Sequence, residues 1–291
     1  MRLAERFGLE IVGVDAFHVY RGMDIGTAKP TAKDRARVHH HLIDVVAPTE
    51  PFTAGTYLSH AEGVAADLAQ RDQGAVWVGG TGLYFRVLRQ GLAPAPPTDP
   101  AVRAELESRS VDDLRAEIER VDPAWAATAD LNNPVRLVRA LAVWRQTGCP
   151  LSRWQQMGRS GPLAGYPLVA LVPPRDLLRR RVEERFEAMR SAGWEEEVRY
   201  LLTLPGWESS GASRAIGYRE VAAVVRGQMD WERCRAQVVA ETMAYAKRQL
   251  TWLRREDNLQ TIDAHGSDVE DSSLADWCDV GRGSGRGDSL S

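Results

Sequence analysis

Apolar positions along the chain fall into two rhythms, short continuous runs and helical spacing. "LAERFG" (Leu3–Gly8) reads as the end of a helix stopped by glycine, and "LEIVGVD" (Leu9–Asp15) as a short buried strand rich in Ile and Val. Over residues 53–71, Tyr57, Ala61, Val64, Ala65 and Leu68 recur at helical spacing. "GAVWVGGTGLYFRVL" (Gly74–Leu88) then predicts a buried strand, a Gly-Gly-Thr-Gly turn and a new helix. Strand and helix alternating in this way indicate an α/β fold with a parallel sheet.

The pattern changes near Gly91. "GLAPAPPTDP" is a proline-rich connector, and from Pro100 to about Ser160 only helical patterns occur. A buried strand returns in "GYPLVALVPPRD", ended by Pro173 and Pro174, and long helices follow in "RDLLRRRVEERFEAMRSAG" and "ETMAYAKRQLTWLRRE". The organisation this predicts is an α/β core over 1–96, a helical insertion over 97–162, a second part of the core with C-terminal helices over 163–258, and a tail over 259–291. The tail is Gly-, Ser- and Asp-rich and nearly without apolar periodicity, which predicts disorder.

Composition narrows the setting. None of the apolar runs approaches the ~20 residues of a membrane span, and the N-terminus lacks the apolar core of a signal peptide. Cys149, Cys234 and Cys278 are scattered and odd in number, which favours a reducing, cytoplasmic setting and argues against a structural zinc site. Net charge is −3, from 37 basic and 40 acidic residues, but nine of the acidic and only two of the basic ones lie beyond Arg255. The body keeps 35 basic against 31 acidic residues and is compatible with an RNA partner.

Ligands of parallel sheets bind at the carboxyl ends of strands. Asp15 ends one such strand and Gly79-Gly80-Thr81-Gly82 another. Glycines let a backbone approach an anion and a threonine hydroxyl can donate to it, although a plain turn and a helix-capping aspartate explain the same residues. Arg181 and Arg185, four apart, present two guanidiniums on one helix face, suited to a diphosphate. Pairing with Glu183, Glu184 and Glu187 on a solvated surface is the plainer account. Adjacent His39, His40 and His41 point different ways and no Cys or Glu completes a usual ligand set, so zinc is disfavoured. The tryptophans read as packing residues. "RAIGYRE" (Arg214–Glu220) and "YAKRQLTWLRR" (Tyr245–Arg255) could follow a sugar-phosphate backbone or be an ordinary loop and a solvated helix.

Together and in this order, "VYRGMDIGTAKPT", "HHLIDVV", "VGGTGLYFRVL", "NNPVRLVRALAVWRQTG", "RVEERFEAM", "RAIGYRE" and "YAKRQLTWLRR" resemble the tRNA dimethylallyltransferase family. The resemblance runs from Ile11 to Arg255. It implies a P-loop NTPase-like parallel core carrying an inserted helical domain that grips the anticodon stem-loop. It also implies transfer of a dimethylallyl group from its diphosphate to N6 of adenosine-37, with Mg²⁺ accompanying the diphosphate. By matching position, Asp15 is the family's base, and Thr81 and Arg185 act on the leaving group. Gly79, Gly80, Thr81, Arg181, Arg185 and Lys29 then bind diphosphate. Contacts to tRNA fall to Asp15, Ala16, Phe17, His18, Thr81, Arg103, Val135, Arg136, Leu137, Val138, Arg139, Arg214, Ala215, Ile216, Gly217, Tyr218 and Arg219. A monomer without a membrane partner is expected.

The chain departs from the family in three places. Asp15-Ala16 stands where the family has Asp-Ser, and His18 where a glutamine is common. No GxxxxGK[ST] phosphate loop occurs, and the chain opens within the helix that follows that loop. The resemblance therefore implies about 25 further residues upstream, the length of a strand and its loop. Two alternatives accompany this reading: a non-catalytic tRNA-binding remnant, and a P-loop-type kinase or nucleotide hydrolase.

Overall fold

The computed structural model describes residues 1–158, 160–257 and 259–263. The chain divides into two compact units, one of Met1–Arg86 with the chain from Gly165 on, the other of Val87–Ala164. The helical insertion expected over 97–162 lies within the second. The α/β class with a parallel sheet holds.

In the first unit, α1 (Arg2–Phe7) is closed by Gly8, whose φ of 64° lets its N–H reach Ala4 O. Strand β1 (Glu10–Val14) follows, then α2 (Ala32–Arg37), which opens on a Thr31–Asp34 capping box. The two-residue β2 (His40–His41), α3 (Ala54–Gln70), β3 (Ala75–Gly79) and the first half of α4 (Gly82–Gln90), as far as Arg86, complete this segment. The sheet order is β2-β1-β3, all parallel, with Ile11 opposite His40 and Val14 opposite Gly79. As the middle strand, β1 is shielded by both neighbours, and Val12 and Val14 are fully buried. Each such side chain contributes about 1.5–3 kcal/mol of burial. Helix α3 packs Tyr57, Leu58, Ala61 and Leu68 inward; Val64 and Ala65 of the expected stripe are half-buried.

The second unit is helical, built of α5 (Pro100–Glu107), α6 (Val111–Val121), α7 (Pro123–Ala126), α8 (Pro134–Thr147) and α9 (Leu151–Gln156). Its core gathers Leu106, Leu114, Ile118, Trp125, Leu137, Val138 and Leu141. Leu137 and Val138 are thus packing residues (0 % and 5 % exposed), which corrects their assignment to tRNA contact. The Arg139 guanidinium donates to Pro96 O at 2.8 Å and Thr98 Oγ1 at 2.9 Å and so ties the proline-rich connector to α8.

The chain then returns to the first unit with β4 (Leu168–Val172), α10 (Arg175–Ser191), α11 (Trp194–Leu201), α12 (Tyr218–Val225), α13 (Trp231–Leu253) and β5 (Leu259–Asp263). β4 and β5 pair in parallel, Leu168 opposite Leu259 through Val172 opposite Asp263. The tail expected to be disordered from residue 259 therefore begins with a strand; its remainder and Cys278 lie outside the described residues. Phe186, Trp194, Val198, Leu201, Trp207, Tyr218 and Val238 form a core with Val19, Tyr20 and Met23 from the segment after β1. Among the described residues none of the helices is long and apolar enough to cross a membrane.

Two ion clusters brace the first unit. Lys29, its side chain 1 % exposed, donates to Tyr20 O at 2.6 Å and to Asp24 Oδ1 and Asp44 Oδ1 at 2.7 Å each. Arg35 holds the other Asp44 oxygen at 2.6 Å. All three ammonium protons are used by the protein, so Lys29 is a structural cation, which corrects its placement among diphosphate ligands. Lys29→Met should lower the melting temperature, since two carboxylates lose their buried partner. It should leave the KM of a diphosphate donor within about twofold, because no ligand contact is removed; a selective rise in that KM would restore the ligand role.

Glu10 at the start of β1 accepts from Arg71 at 2.7 and 2.9 Å and from His41 Nε2 at 2.5 Å. The Arg71 guanidinium, opposed by burial and helped by His41, holds its carboxyl at about 2, against an ordinary 4.5. A depressed folded value means that this stabilisation is complete above pH 4.5 and is lost as pH falls towards 2. Glu10→Gln should therefore flatten the acid limb of a melting-temperature profile over that interval while leaving its neutral limb parallel to wild type. An unchanged acid limb would refute the linkage.

Candidate active site

Register decides what meets at the carboxyl edge of the sheet. Because Val14 lies opposite Gly79, the turns that leave β1 and β3 emerge side by side. Asp15 turns its chain with its own side chain: Oδ1 accepts from Phe17 N at 2.8 Å and His18 N at 3.3 Å. Oδ2 accepts no hydrogen bond among the described residues. Thr81 stitches the two turns together, its Oγ1 accepting from Ala16 N at 3.1 Å and its N–H donating to Val14 O at 3.3 Å. Thr81 also stands at the start of α4, where its carbonyl accepts from Tyr84 N and Phe85 N.

The glycines of this turn have a reason other than an anion. A Cβ on Gly79 would lie 2.0 Å from Val14 O, and one on Gly80 would lie 2.0 Å from Gln249 Nε2. Gly80 O accepts from Tyr245 Oη and Gln249 Nε2, both at 2.9 Å, so α13 is bolted onto the turn. Backbone packing against β1 requires a glycine at Gly79, whereas at Gly80 the near neighbour is the movable end of the Gln249 side chain.

Arg185 of α10 completes the group. It is open to solvent on one side, yet burial holds its guanidinium below its ordinary value, while the negative charge of Asp15 acts to raise it. Among the described residues it forms no ion pair. Glu183 and Glu187 pair instead with Arg235, and Glu183 also approaches Arg179 at 3.9 Å. The neutralised-surface account therefore does not apply to Arg185. Arg181, one turn earlier, is half-buried. Three tyrosines also lie within the field of Asp15. Tyr57, Tyr84 and Tyr245 are all pushed above the ordinary phenol value, chiefly by burial and further by the Asp15 charge. Tyr57 and Tyr84 stack with centroids 3.9 Å apart, and Tyr57 Oη donates to Gly13 O at 3.0 Å. These tyrosines and Gln249 were not singled out from sequence; Tyr245 and Gln249 fall four apart in "YAKRQLTW", on one face of α13, which was the available signal.

Other sequence candidates divide by burial. Phe17 packs against the core, and His18 Nε2–H donates to Thr27 O at 3.0 Å. In "RAIGYRE" only Arg214 and Arg219 are exposed; Ala215, Gly217 and Tyr218 are buried and Ile216 packs on the core, so packing already accounts for these four. In the second unit, Arg103 is exposed and paired with Glu107 at 2.8 Å, and Val135 and Arg136 are exposed. His39 and His41 do acquire a glutamate, Glu10, within ligand range. Its two oxygens are already held by Arg71 and its contact with His41 is a direct hydrogen bond, so the space of an ion is taken. A shallow depression of 420 Å³ lined by Arg21, Pro48, Tyr200 and Pro205 includes none of the Asp15 group.

The arrangement offers an oxygen able to take a proton beside a guanidinium, a hydroxyl and a helix N-terminus able to receive an anion. Comparison with known proteins identifies the family. Residues 18–256 match the model of the IPP transferase family. The tRNA dimethylallyltransferase of Magnetococcus marinus is 41% identical over 92% of this chain and 90% of its own, and that of Deinococcus radiodurans 42% identical over 88% and 85%. The crystal structure of the tRNA isopentenylpyrophosphate transferase of Bacillus halodurans superposes with a TM-score of 0.69 at 30% identity, covering 97% of this chain and 90% of that one. A eukaryotic dimethylallyltransferase acting on tRNA shares the fold, with a TM-score of 0.83 at 21% identity over 97% of this chain and 75% of that one. With the match covering most of the chain, and relatives above 40% identity over nearly all of it, the protein belongs to the IPP transferase family.

Proposed function

We propose that the protein transfers a dimethylallyl group from dimethylallyl diphosphate to the N6 amine of adenosine-37 in the anticodon stem-loop of tRNA. The observation that carries this reading is the Asp15 carboxylate, with one oxygen committed to backbone amides, the other unused among the described residues, and Arg185 in its field. An exocyclic adenine amine is a weak nucleophile because its lone pair is delocalised into the ring. As the bond from N6 to the allyl C1 forms, the amine proton passes to Asp15 Oδ2. The C1–O bond breaks and its electron pair leaves with the diphosphate. Such a base contributes ~10²–10⁴-fold.

Arg185, the Thr81 hydroxyl and the N-terminus of α4 receive the charge that develops on the leaving group. Arg181, on the same face of α10, extends the cationic wall. Mg²⁺, as a hard cation, would be held chiefly by diphosphate and water oxygens, which leaves Asp15 Oδ2 to take the proton. Bound there it would neutralise diphosphate charge. Phe17 and His18 flank the base, and Arg103, Val135, Arg136, Arg214 and Arg219 are the exposed residues left to meet the nucleic acid. The target adenine leaves the loop stack to reach the carboxylate.

Asp15→Asn keeps an acceptor for the Phe17 and His18 amides but removes the basic oxygen. Its kcat should fall by ~10²–10⁴-fold with tRNA affinity retained, read as dimethylallyl incorporated per tRNA by mass spectrometry. A rate equal to wild type would take the base role from Asp15. Arg185→Ala should act on the donor instead, raising the KM for dimethylallyl diphosphate by roughly 10–100-fold through the lost charge-assisted contacts. Wild-type kinetics at low donor concentration would remove Arg185 from the diphosphate site.

A further inference from the structure

The segment between Met23 and Pro30 is held by one carboxylate that the reaction itself does not use. Glu197, in the first turn of α11, accepts four hydrogen bonds. Oε2 takes Asp24 N and Ile25 N, both at 2.7 Å; Oε1 takes Gly26 N at 3.2 Å and Tyr218 Oη at 2.7 Å. Three successive backbone N–H groups converging on an anion form a nest, and here the anion is part of the protein. Gly26 is where the loop descends onto α11. A Cβ there would lie 2.1 Å from Trp194 Nε1 and 2.7 Å from the Tyr218 ring, so no other residue lets the backbone come this close. Burial, and then the Glu197 charge, keep the Tyr218 hydroxyl protonated and donating.

What the nest holds leads directly to the reacting group. One residue beyond Gly26, Thr27 O receives the Nε2–H of His18, and the His18 N–H rests on Asp15 Oδ1. From the far side, Lys29 pins Asp24 to Asp44, and Asp44 N donates to His18 O. We propose that Glu197 is a positioning residue for the nucleic-acid side of the reaction. By fixing the amides of Asp24, Ile25 and Gly26 it places Thr27 O, which orients the His18 ring with its proton on Nε2 beside Asp15. This rests on the reading of the protein as a tRNA dimethylallyltransferase, and deepens it by adding a residue remote from both substrates that sets how the base is received.

The test is Glu197→Gln in the full chain. Glutamine keeps the size but sets an NH₂ against backbone donors, so at least one loop amide loses its partner. Backbone amides 24–26 should exchange hydrogen about 10-fold faster, and the KM for unmodified tRNA should rise by a similar factor. The KM for dimethylallyl diphosphate should stay within about twofold, since no donor contact is altered. Tyr218→Phe, which removes only the fourth hydrogen bond, should move the same two quantities in the same direction by less, and decides the matter if the glutamine variant does not fold. An unchanged tRNA KM despite faster exchange, or equal rises in both KM values, would overturn the proposal. Wild-type protein that transfers no dimethylallyl group to tRNA would instead overturn the function. In that case the exchange measurement still decides whether Glu197 holds the loop.

Discussion

A carboxylate that is to take a proton from an amine must be held firmly without being used up by its holders. β1 meets this requirement by position. It is the middle strand, its last three residues before Asp15 are enclosed, and its register brings the turn after β3 alongside. A slip of one residue would turn every β1 side chain to the opposite face and separate Asp15 from Thr81. Asp15 then spends one oxygen on two amides of its own turn, which fixes the carboxylate plane and leaves the second oxygen without a hydrogen bond among the described residues. Arg185, brought by a helix about 170 residues along the chain, adds a positive charge within the field of Asp15.

The loop after β1 anchors Val19, Tyr20 and Met23 in the core, and the fold secures its polar remainder with charges. A cation, Lys29, is enclosed by two carboxylates and a carbonyl. An anion, Glu197, is enclosed by three amides and a phenol. Burying a charge is costly unless its partners are all present, so each cluster tolerates one arrangement of the loop and penalises others. That explains why "GMDIGTAKP" is so particular a string. Gly26 admits the close approach, Asp24 and Lys29 pair with each other, and Thr27 supplies the carbonyl for His18 while its hydroxyl donates to Met23 O at 2.6 Å.

Local rules made much of this legible. Gly8 ending a helix, the helical spacing over 53–71, the Ile/Val run of β1 and the strand–turn–helix at residues 75–90 all read directly from pattern, as did Asp15 at a strand end. What escaped depended on partners distant in sequence. Lys29 reads as a free cation until Asp44 is brought back to it, and Gly80 reads as a phosphate turn until Gln249 is packed against it. Leu137 and Val138 carry the burial rhythm of α8, yet a motif match assigned them to a ligand. β2 and β5 are short strands with no periodicity of their own, formed because a neighbouring strand offers its edge. Glu197 sits among three glutamates at a helix start, and nothing local marks it from Glu195 or Glu196.

The two substitutions beside the base can be weighed on the same footing. Where a serine hydroxyl is expected, Ala16 supplies only its backbone, but that backbone N–H donates to Thr81 Oγ1, and the link between the two turns survives without a side chain. At residue 18, an imidazole anchored through Nε2 leaves a rigid ring where an amide would offer both a donor and an acceptor. Such a ring discriminates by where it is placed more than by how many bonds it can form. Its placement in turn passes through Thr27 to the amides that Glu197 holds. In the proposed reaction, a side chain with fewer hydrogen-bonding options beside Asp15 shifts the burden of recognition onto the loop, and the loop's rigidity becomes part of the proposed binding site.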